Sequence, residues 1–258
     1  MVALTGTQSI ERAAAVMRVI ASRNRAGVRL VDVARYGRLE RPTAHRILRC
    51  LIAEGLVMQD ERTRRYFLGH LAFEFGLAAA SRFDLREQCR PALARLAAAT
   101  GDTVFLTLRS GFDTVCIDRA EGAFPIRTLV LEVGTRRPLG VGAAGLALLM
   151  PLPEDAVREI LAANALRLEA FGRLTVPAVL RMLRRARTLG FALNDAHITP
   201  DAVSVGLALP SRYGDPLLAI SVGAIASRMS EARQRELAAL IGSELEALAA
   251  GVDEFTHP

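Results

Sequence analysis

Lysine is absent from this sequence of 258 residues, in which all 33 basic side chains are arginine. A Schiff-base lysine, a phosphate-loop lysine and a lysine general base are therefore excluded. The motifs HExxH and GxSxG are absent too, and His197 is the one histidine in the body of the chain away from the C-terminus. Because an isolated histidine is more often structural than catalytic, we expect no catalytic residue and no enzyme.

Cysteine is scarce as well. Cys50, Cys89 and Cys116 lie far apart and form no CxxC pair, so neither a disulfide framework nor a zinc site is expected, and no metal or cofactor is implied. No apolar run reaches the roughly 18 to 20 residues of a membrane span. The N-terminus lacks the basic and long apolar regions of a secretory signal. We expect a cytoplasmic protein without a membrane partner.

The positive charge is concentrated at the start of the chain. Residues 1–69 contain thirteen arginines and six acids, a net charge of +7, whereas residues 70–258 contain twenty arginines and 21 acids, a net charge of −1. The length suits two domains with separate cores. The asymmetry predicts a basic nucleic-acid module joined to a neutral body, with a generic solvated surface as the alternative.

Helical patterns in the basic segment have the order of a helix-turn-helix. "QSIERAAAVMRVIASR" predicts a first helix with Ser9 as its N-cap, and "RLVDVARYG" predicts a second helix that ends at Gly37. "LERPTAHRILRC" predicts a third helix that begins at Arg41 or Pro42. Its expected apolar stripe is Ala44, Ile47, Leu48, Leu51 and Ile52. The residues off this stripe, which we expect to contact DNA, are Arg41, Thr43, His45, Arg46 and Arg49.

A charged hairpin follows and predicts the wing of a winged helix-turn-helix. Its strands are expected over Leu56–Gln59 and Tyr66–Leu68. Arg62, Arg64 and Arg65 would sit at the tip and contact phosphates or the minor groove. A merely solvated hairpin is the weaker alternative, because three arginines on one turn repel one another and gain more from a polyanion than from water.

These residues resemble the IclR-type transcriptional regulators. The resemblance runs from "QSIERAAAVMRVI" through "LVDVARYGRLERPTAHRILRCLIAEGLV" to "RYFLGHLAFEFG" and continues weakly to the C-terminus. It implies an α+β fold: an N-terminal winged helix-turn-helix domain (1–69), a linker helix (70–83) and a GAF-like effector-binding domain with an antiparallel sheet (84–258). Family members commonly have a proline–lysine–serine run where this chain has Glu40-Arg41-Pro42, a departure that bears on the operator sequence.

The resemblance also implies an assembly and a DNA partner. A homodimer, or a dimer of dimers, would bind a pseudo-palindromic double-stranded operator, since two half-sites need two recognition helices at fixed spacing. Leu71, Phe75 and Ala78 or Ala79 of the linker helix would then pack against the partner chain. Packing within the chain is the alternative.

The body of the chain alternates between strand and helix patterns, as in an α+β domain with an antiparallel sheet. A hairpin is expected around Ser110-Gly111, followed by a third strand over 126–134. Helices are expected near 143–150, 153–164, 176–189 and 230–249. Further strands are expected near 190–193, 203–209 and 217–224.

"GVGAAG" at 140–145 matches GxGxxG by letter only. No strand is expected to run directly into its first glycine, and the acids that follow fall in a predicted helix, so a dinucleotide site is disfavoured. The small residues would let a ligand approach the backbone, and the N-terminus of the next helix would attract anions. The resemblance instead implies that this loop borders a pocket for a small effector, an organic or aromatic acid.

Carried over by resemblance, the effector-binding residues are Leu129, Ala143, Ala144, Asn194, Ser204 and Ser221. Ser204 and Ser221 would face each other across a cavity, or else be buried and bonded to backbone. Arg127, Arg136 and Arg137 flank the region. Any of them would pair with a ligand carboxylate, or equally form a salt bridge to Glu121 or Glu132.

Two functions are compatible with these sequence features. The first is a DNA-binding repressor or activator whose operator affinity is changed by a small acid, through coupling between the effector domains and the winged modules. The alternative is a small-molecule enzyme with a nucleic-acid-binding appendage, which the absence of lysine and of a metal cluster disfavours.

Overall fold

The computed structural model describes residues 7–80, 85–126, 131–172, 174–195, 201–209 and 216–252. The chain divides into two compact units, Met1–Phe83 and Asp84–Pro258. The first contains α1 (Gln8–Ala21), α2 (Leu30–Tyr36), α3 (Arg41–Ala53), β1 (Val57–Gln59), β2 (Tyr66–Leu68) and α4 (His70–Ala80). No helix among the described residues is both long enough and apolar enough to cross a membrane.

The second unit is built from helices around one large sheet. Its helices are α5 (Leu85–Thr100), α6 (Gly142–Ala147), α7 (Glu154–Leu168), α8 (Val176–Leu189) and α9 (Glu231–Val252). Its strands are β3 (Thr103–Ser110), β4 (Asp113–Ala120), β5 (Arg136–Pro138), β6 (Ala192–Asp195), β7 (Ala202–Ala208) and β8 (Leu218–Ile225). They form one antiparallel sheet in the order β5-β4-β3-β8-β7-β6.

The core of the first unit forms where α1, α2 and α3 bring their apolar faces together. Val16, Ile20 and Val33 pack there with Ala44 and Leu48 of α3. The predicted stripe of α3 is largely confirmed, since Leu51 is buried too and Ile47 packs against the core. Ile52 is the exception, with 37% of its surface exposed. It lies about 100° around the helix from Leu51, beyond the edge of the packed face.

The residues that end α2 and begin α1 differ from those predicted. Both α2 and α3 end in a Schellman turn, closed by hydrogen bonds from Leu39 N to Ala34 O (2.9 Å) and from Leu56 N to Leu51 O (2.9 Å). Gly55 supplies the left-handed residue after α3, at φ +72°. After α2 the left-handed residue is Arg38, at φ +52°, and the predicted terminator Gly37 is right-handed. Likewise α1 begins at Gln8, so the expected N-cap Ser9 lies inside its first turn.

The structure describes only part of the predicted third strand, 126–134. The described strand that pairs with residues 113–115 of β4 is β5, Arg136–Pro138, which lies just after the predicted range. Residues 131–134 are irregular, and 127–130 lie outside the described residues. The alternating apolar residues suggested a strand over 126–134, but Gly134 takes φ +87° and turns the chain before the ladder begins. Elsewhere the bounds shift by a few residues: Gly190 caps α8 at φ +81°, so β6 starts at Ala192 rather than near 190.

The two faces of the sheet are covered differently. Alternate residues such as Val104, Leu106 and Val222 point to one face, where they pack in the core that includes α5 and α9. The opposite face is covered by α6. A Cβ at Gly206 of β7 would lie 3.0 Å from the carbonyl carbon of Ala143, so glycine permits this close approach. The side chains between this face and α6 are small or polar, and they leave a cavity.

Candidate nucleic-acid interface and ligand cavity

Helix α3 has a basic surface on the side away from its core. Arg41, His45, Arg46 and Arg49 are exposed and Thr43 is half-buried, whereas Ala44 and Leu48 between them are fully buried. The residues predicted to contact DNA therefore lie together on one solvent-facing surface. Its position, second in the helix-turn-helix, is the one that enters the major groove in proteins of this architecture.

A second basic group borders the start of α3. Arg12 of α1, Arg35 of α2 and Arg38 of the turn line a surface groove with Glu40 and Thr43. Glu40 is exposed at the N-cap position of α3, and its side chain makes no capping hydrogen bond. Sequence reasoning missed this groove because the three arginines come from three separate segments, and no spacing rule connects them.

The wing is a short hairpin with an ordered turn. Strands β1 and β2 pair from Val57↔Leu68 to Gln59↔Tyr66. The Asp60 carboxylate accepts hydrogen bonds from the Thr63 hydroxyl and amide, both at 2.6 Å, and these bonds hold the pKa of Asp60 below its usual value. Arg64 takes φ +58° to close the turn. Arg62 and Arg64 are exposed at the tip.

Arg65 turns inward, unlike the other two wing arginines. Its Nη1 donates to the carbonyl oxygens of Ala26 (3.2 Å) and Gly27 (2.9 Å) in the loop after α1. Beside it, Val28 and Tyr66 exchange backbone hydrogen bonds of 3.0 and 2.8 Å. These bonds fix the wing to the helical core. The structure thus gives Arg65 a positioning contact, which the sequence did not reveal.

The cavity of the second unit has a volume of about 40 Å³ and lies between the sheet and α6. Five of the six predicted effector residues line it: Ala143, Ala144, Asn194, Ser204 and Ser221. The sixth, Leu129, lies outside the described residues, as does His197. From the sequence, one expectation was that Ser204 and Ser221 face each other across the cavity, and the structure does not show this arrangement. Ser204 pairs with Gly223 and Ser221 with Gly206 on neighbouring strands, so both serines belong to the same wall.

The GVGAAG loop forms the opposite wall and does not form a dinucleotide site. Strand β5 ends at Pro138, closer to Gly140 than expected, but it is the edge strand of an antiparallel sheet rather than a central parallel strand. Gly140 and Gly142 take φ +93° and +76°, which only glycine adopts readily. Helix α6 has only six residues, so the predicted attraction of anions by its N-terminus has little dipole behind it.

Two buried polar atoms point to a ligand or water in this cavity. Thr107 Oγ1 and Asn194 Oδ1 have no hydrogen-bond partner among the described residues, and their residues are 3% and 6% exposed. Buried polar atoms are nearly always hydrogen-bonded in native proteins. Thr107 escaped sequence reasoning, since nothing in its neighbours separates it from an ordinary strand threonine.

The flanking arginines have different roles. Arg136 pairs with Asp113 (3.1 Å) and donates to Ser110 Oγ (3.0 Å), and Arg167 reaches the same carboxylate at 2.7 Å. Asp113 Oδ1 lacks a well-aligned hydrogen bond, but this ion pair satisfies it. The partner considered from sequence, Glu121, pairs instead with Arg119 at 3.0 Å. The guanidinium of Arg136 is therefore already paired with side chains of the protein itself.

Arg137, the next residue, lines the cavity. Its Cζ lies 5.6 Å from the centroid of the Phe171 ring, and burial lowers its pKa. Cys116 lies in the same cavity, where burial raises the pKa of its thiol to about 11 and keeps it neutral at physiological pH. Arg127 lies outside the described residues.

Comparison with known families identifies the chain. A model described as the IclR helix-turn-helix domain matches residues 9–61, and one described as bacterial transcriptional regulator IclR C-terminal matches residues 77–249. The chain belongs to the IclR family. The resemblance read from the sequence is thereby confirmed, and so is the winged helix-turn-helix joined to an antiparallel α+β domain.

The curated relatives of this IclR-family chain are transcriptional regulators rather than enzymes. HTH-type transcriptional regulator BhcR of Paracoccus denitrificans is 32% identical over 234 residues, which is 88% of this chain and 81% of that protein. HTH-type transcriptional repressor AllR of Escherichia coli is 28% identical over 235 residues, 90% of this chain and 85% of that protein.

Solved structures share the fold at lower sequence identity. A putative IclR transcriptional regulator from Silicibacter sp. is 21% identical with a TM-score of 0.78, over 95% of this chain and 96% of that one. An IclR homolog from Microbacterium hydrocarbonoxydans, complexed with 4-hydroxybenzoate, is 21% identical with a TM-score of 0.61, over 93% and 99%.

Proposed function

We propose that this IclR-family regulator binds operator DNA through the exposed face of α3 and the wing, and that a small organic acid in the cavity changes this affinity. The observation that carries the DNA part is the division of α3 into a buried apolar face and an exposed basic one. On this proposal, residues 1–69 bind DNA, 70–83 link the protomers and 84–258 bind the effector. Arg41, Thr43, His45, Arg46 and Arg49 of α3 and Arg62 and Arg64 of the wing contact DNA, while Arg65 orients the wing.

Electrophoretic mobility shift on the DNA upstream of the chain's own gene tests this function. We expect a specific shift at low salt that weakens steeply as salt is raised, because arginine–phosphate contacts release counterions. Small carboxylates should then change the protein concentration at which half of the operator DNA is shifted. Absence of any shift at low salt, with and without carboxylates, would refute the proposal.

Two observations support the proposal that an effector binds in the cavity. The five effector residues inferred from the family resemblance all line it, and two buried polar atoms beside them lack a partner among the described residues. The 4-hydroxybenzoate complex of a structural relative indicates that this fold accepts an organic acid. We propose that the acid binds against Ala143 and Ala144 on one side and Asn194, Ser204 and Ser221 on the other.

We further propose that α4 joins two protomers. Phe73, Phe75 and Leu77 are 67%, 57% and 59% exposed, so α4 carries large apolar side chains that the described residues leave uncovered. A helix that is apolar all round is normally buried. A partner's α4 would cover these residues and would hold two recognition helices at the spacing that a two-half-site operator needs.

Replacing Phe75 with glutamate should therefore shift the protein from dimer to monomer in analytical ultracentrifugation. The expected weakening is at least tenfold in dimer dissociation constant, since a buried aromatic contributes about 1.5–3 kcal/mol. Leu166→Glu is the matched control, because Leu166 is 74% exposed on α7 and outside the proposed interface. Equal behaviour of the two variants would remove α4 from the interface.

Replacing Arg64 with glycine should increase the stability of the protein and weaken its binding to DNA. A non-glycine residue in the left-handed region costs about 1–2 kcal/mol, so Arg64→Gly should raise the free energy of unfolding by about 1 kcal/mol. The same change removes a wing charge, and the slope of log affinity against log salt should fall by about one. Urea unfolding and fluorescence anisotropy measure the two effects.

Arg62→Gly is the control for this prediction. It removes the same charge from a neighbour whose φ is not positive, so it should weaken DNA binding similarly without a gain in stability. A gain from Arg62→Gly, or none from Arg64→Gly, would contradict the assigned backbone strain.

A further inference from the structure

We propose that Glu40 recognises a cytosine of the operator, by accepting a hydrogen bond from the exocyclic N4 amine of that base in the major groove. Arg12 and Arg35, which line the same surface groove of the protein as Glu40, bind the DNA phosphates beside it. This inference rests on the proposed function, because it assumes that α3 enters the major groove. It adds an acidic residue to an interface so far built from basic and neutral ones.

Glu40 lies at the end of α3 that can reach the bases. It is the N-cap residue of this helix, with an extended backbone (φ −61°, ψ 141°) and an exposed side chain. In helix-turn-helix proteins, the N-terminal residues of the recognition helix contact base edges. Thr43, in the first turn of α3, lines the same surface groove as Glu40. Glu40 therefore lies beside a residue that the proposed function assigns to DNA.

The contribution of Glu40 to the helix itself is small. Serine, threonine, aspartate and asparagine cap helices well, because their side chains accept hydrogen bonds from the amides of the first turn. The Glu40 side chain makes no such bond. An acid at this end of a helix gains from the helix dipole, but that gain is modest at an exposed position and needs no particular base opposite it. The carboxylate oxygens are thus available to a donor on DNA.

The charge around Glu40 allows an acid to approach a polyanion. A carboxylate alone is repelled by DNA phosphates, but three arginines line the surface groove with it: Arg12, Arg35 and Arg38. Three positive charges and one negative charge leave this groove at a formal +2. Arginine contacts to phosphate hold a protein on the duplex without reading its sequence. The groove therefore combines charges that bind the backbone with one acceptor that can discriminate between bases.

The choice of cytosine follows from the chemistry of a carboxylate. An ionised carboxylate accepts hydrogen bonds but cannot donate them. In the major groove, guanine presents two acceptors and thymine presents an acceptor and a methyl group, whereas adenine presents an acceptor beside its amine. Cytosine presents the N4 amine donor. Its edge is the one that matches Glu40 without placing an acceptor against the carboxylate.

Selection of bound duplexes from a randomised pool, followed by sequencing, tests this assignment on the full-length protein. The wild type should enrich cytosine at one position of each half-site. Glu40→Gln should enrich adenine at that position, because glutamine pairs with adenine N6 and N7. Glu40→Ala should enrich no base there, and the other positions should keep their preferred bases in both variants.

Competition anisotropy gives the size of the effect. Replacing the selected cytosine should weaken wild-type binding by about 5- to 150-fold, the usual range for a mismatched base pair. The same replacement should leave the affinity of Glu40→Ala nearly unchanged, because that variant has no side chain to read the base.

Glu54→Gln is the matched control. Glu54 is exposed at the C-cap position of α3, so this change removes the same charge from the same helix at its other end. It should leave every base preference unchanged. Arg12→Gln and Arg35→Gln should weaken binding to all sequences alike and lower the slope of log affinity against log salt by about one each. A loss confined to one base pair in either arginine variant would overturn the phosphate contacts.

The selection also separates failure of this inference from failure of the proposed function. If the wild type enriches a motif and Glu40→Gln enriches the same base at every position, Glu40 does not recognise a base and the proposed function stands. The same conclusion follows if Glu40→Gln and Glu54→Gln change the affinity for all sequences equally, as a general charge effect would. If the wild type enriches no motif at low salt, the proposed function fails, and this inference fails with it.

Discussion

Arg46→Ala is expected to abolish most of the preference for operator over random DNA while leaving the fold intact. Arg46 is exposed on the basic face of α3 and is not among the residues that form the core of the first unit. A bidentate arginine–guanine contact contributes about 1–3 kcal/mol of discrimination, or about 5- to 150-fold in affinity. Loss of that contact should lower specific binding by this factor and leave binding to random DNA nearly unchanged.

Arg46→Lys and Arg181→Ala sharpen that experiment. Lysine keeps the charge but lacks the planar fork, so Arg46→Lys should keep the salt dependence and still lose discrimination. Arg181→Ala removes an exposed arginine from α8 in the other unit and should change neither. The measurement is competition anisotropy with an operator selected from random duplexes. Unchanged discrimination in Arg46→Ala would remove Arg46 from the residues that read bases.

The first unit was predictable because its signals are local. The apolar spacing of α3 places Ala44 and Leu48 on one face whatever they pack against, and the opposite face then contains Arg46. Proline in the first turn and Gly55 after the last fix the ends of the same helix. The features of this unit that the sequence did not reveal are non-local. Arg65 turns inward because Ala26 and Gly27 offer carbonyls, and they lie nearly forty residues earlier in the chain.

The cavity could be predicted only in part, and mainly by resemblance. Family positions led to Asn194 and Ser221, and the structure adds Thr107, which neither periodicity nor spacing singled out. Sequence alone did not decide which flanking arginine lines the cavity, because Arg136 and Arg137 are adjacent and chemically identical. The strand register decides it, since alternate residues of a strand point to opposite sides.

Asp113→Ala is expected to destabilise the second unit by about 3–5 kcal/mol, the cost of breaking a buried ion pair by removing one partner. The Asp113 side chain is 9% exposed and holds Arg136 (13% exposed) at 3.1 Å and Arg167 at 2.7 Å. Without this carboxylate, two arginine side chains lose their common acceptor in a poorly hydrated site. Urea unfolding followed by circular dichroism would measure the loss.

Asp195→Ala is the matched control, because the Arg185–Asp195 pair is at least as short (2.6 Å) but its side chains are 56% and 37% exposed. Solvent screens such a pair, so the expected change is about 0–1 kcal/mol. Equal losses in the two variants would mean that burial does not set the contribution of Asp113.

Asp113 should also affect the cavity, through β5 rather than by touching the ligand. Among the described strands, β5 pairs with β4 through residues 113–115, and Asp113 is opposite Pro138, one residue from Arg137. Asp113→Ala should therefore weaken the binding of small carboxylates by the full-length protein as β5 loosens, in addition to lowering stability. Titration calorimetry of the variant measures this loss of affinity. Unchanged affinity in Asp113→Ala would mean that the Asp113 carboxylate contributes to stability but not to the position of the strand beside the cavity.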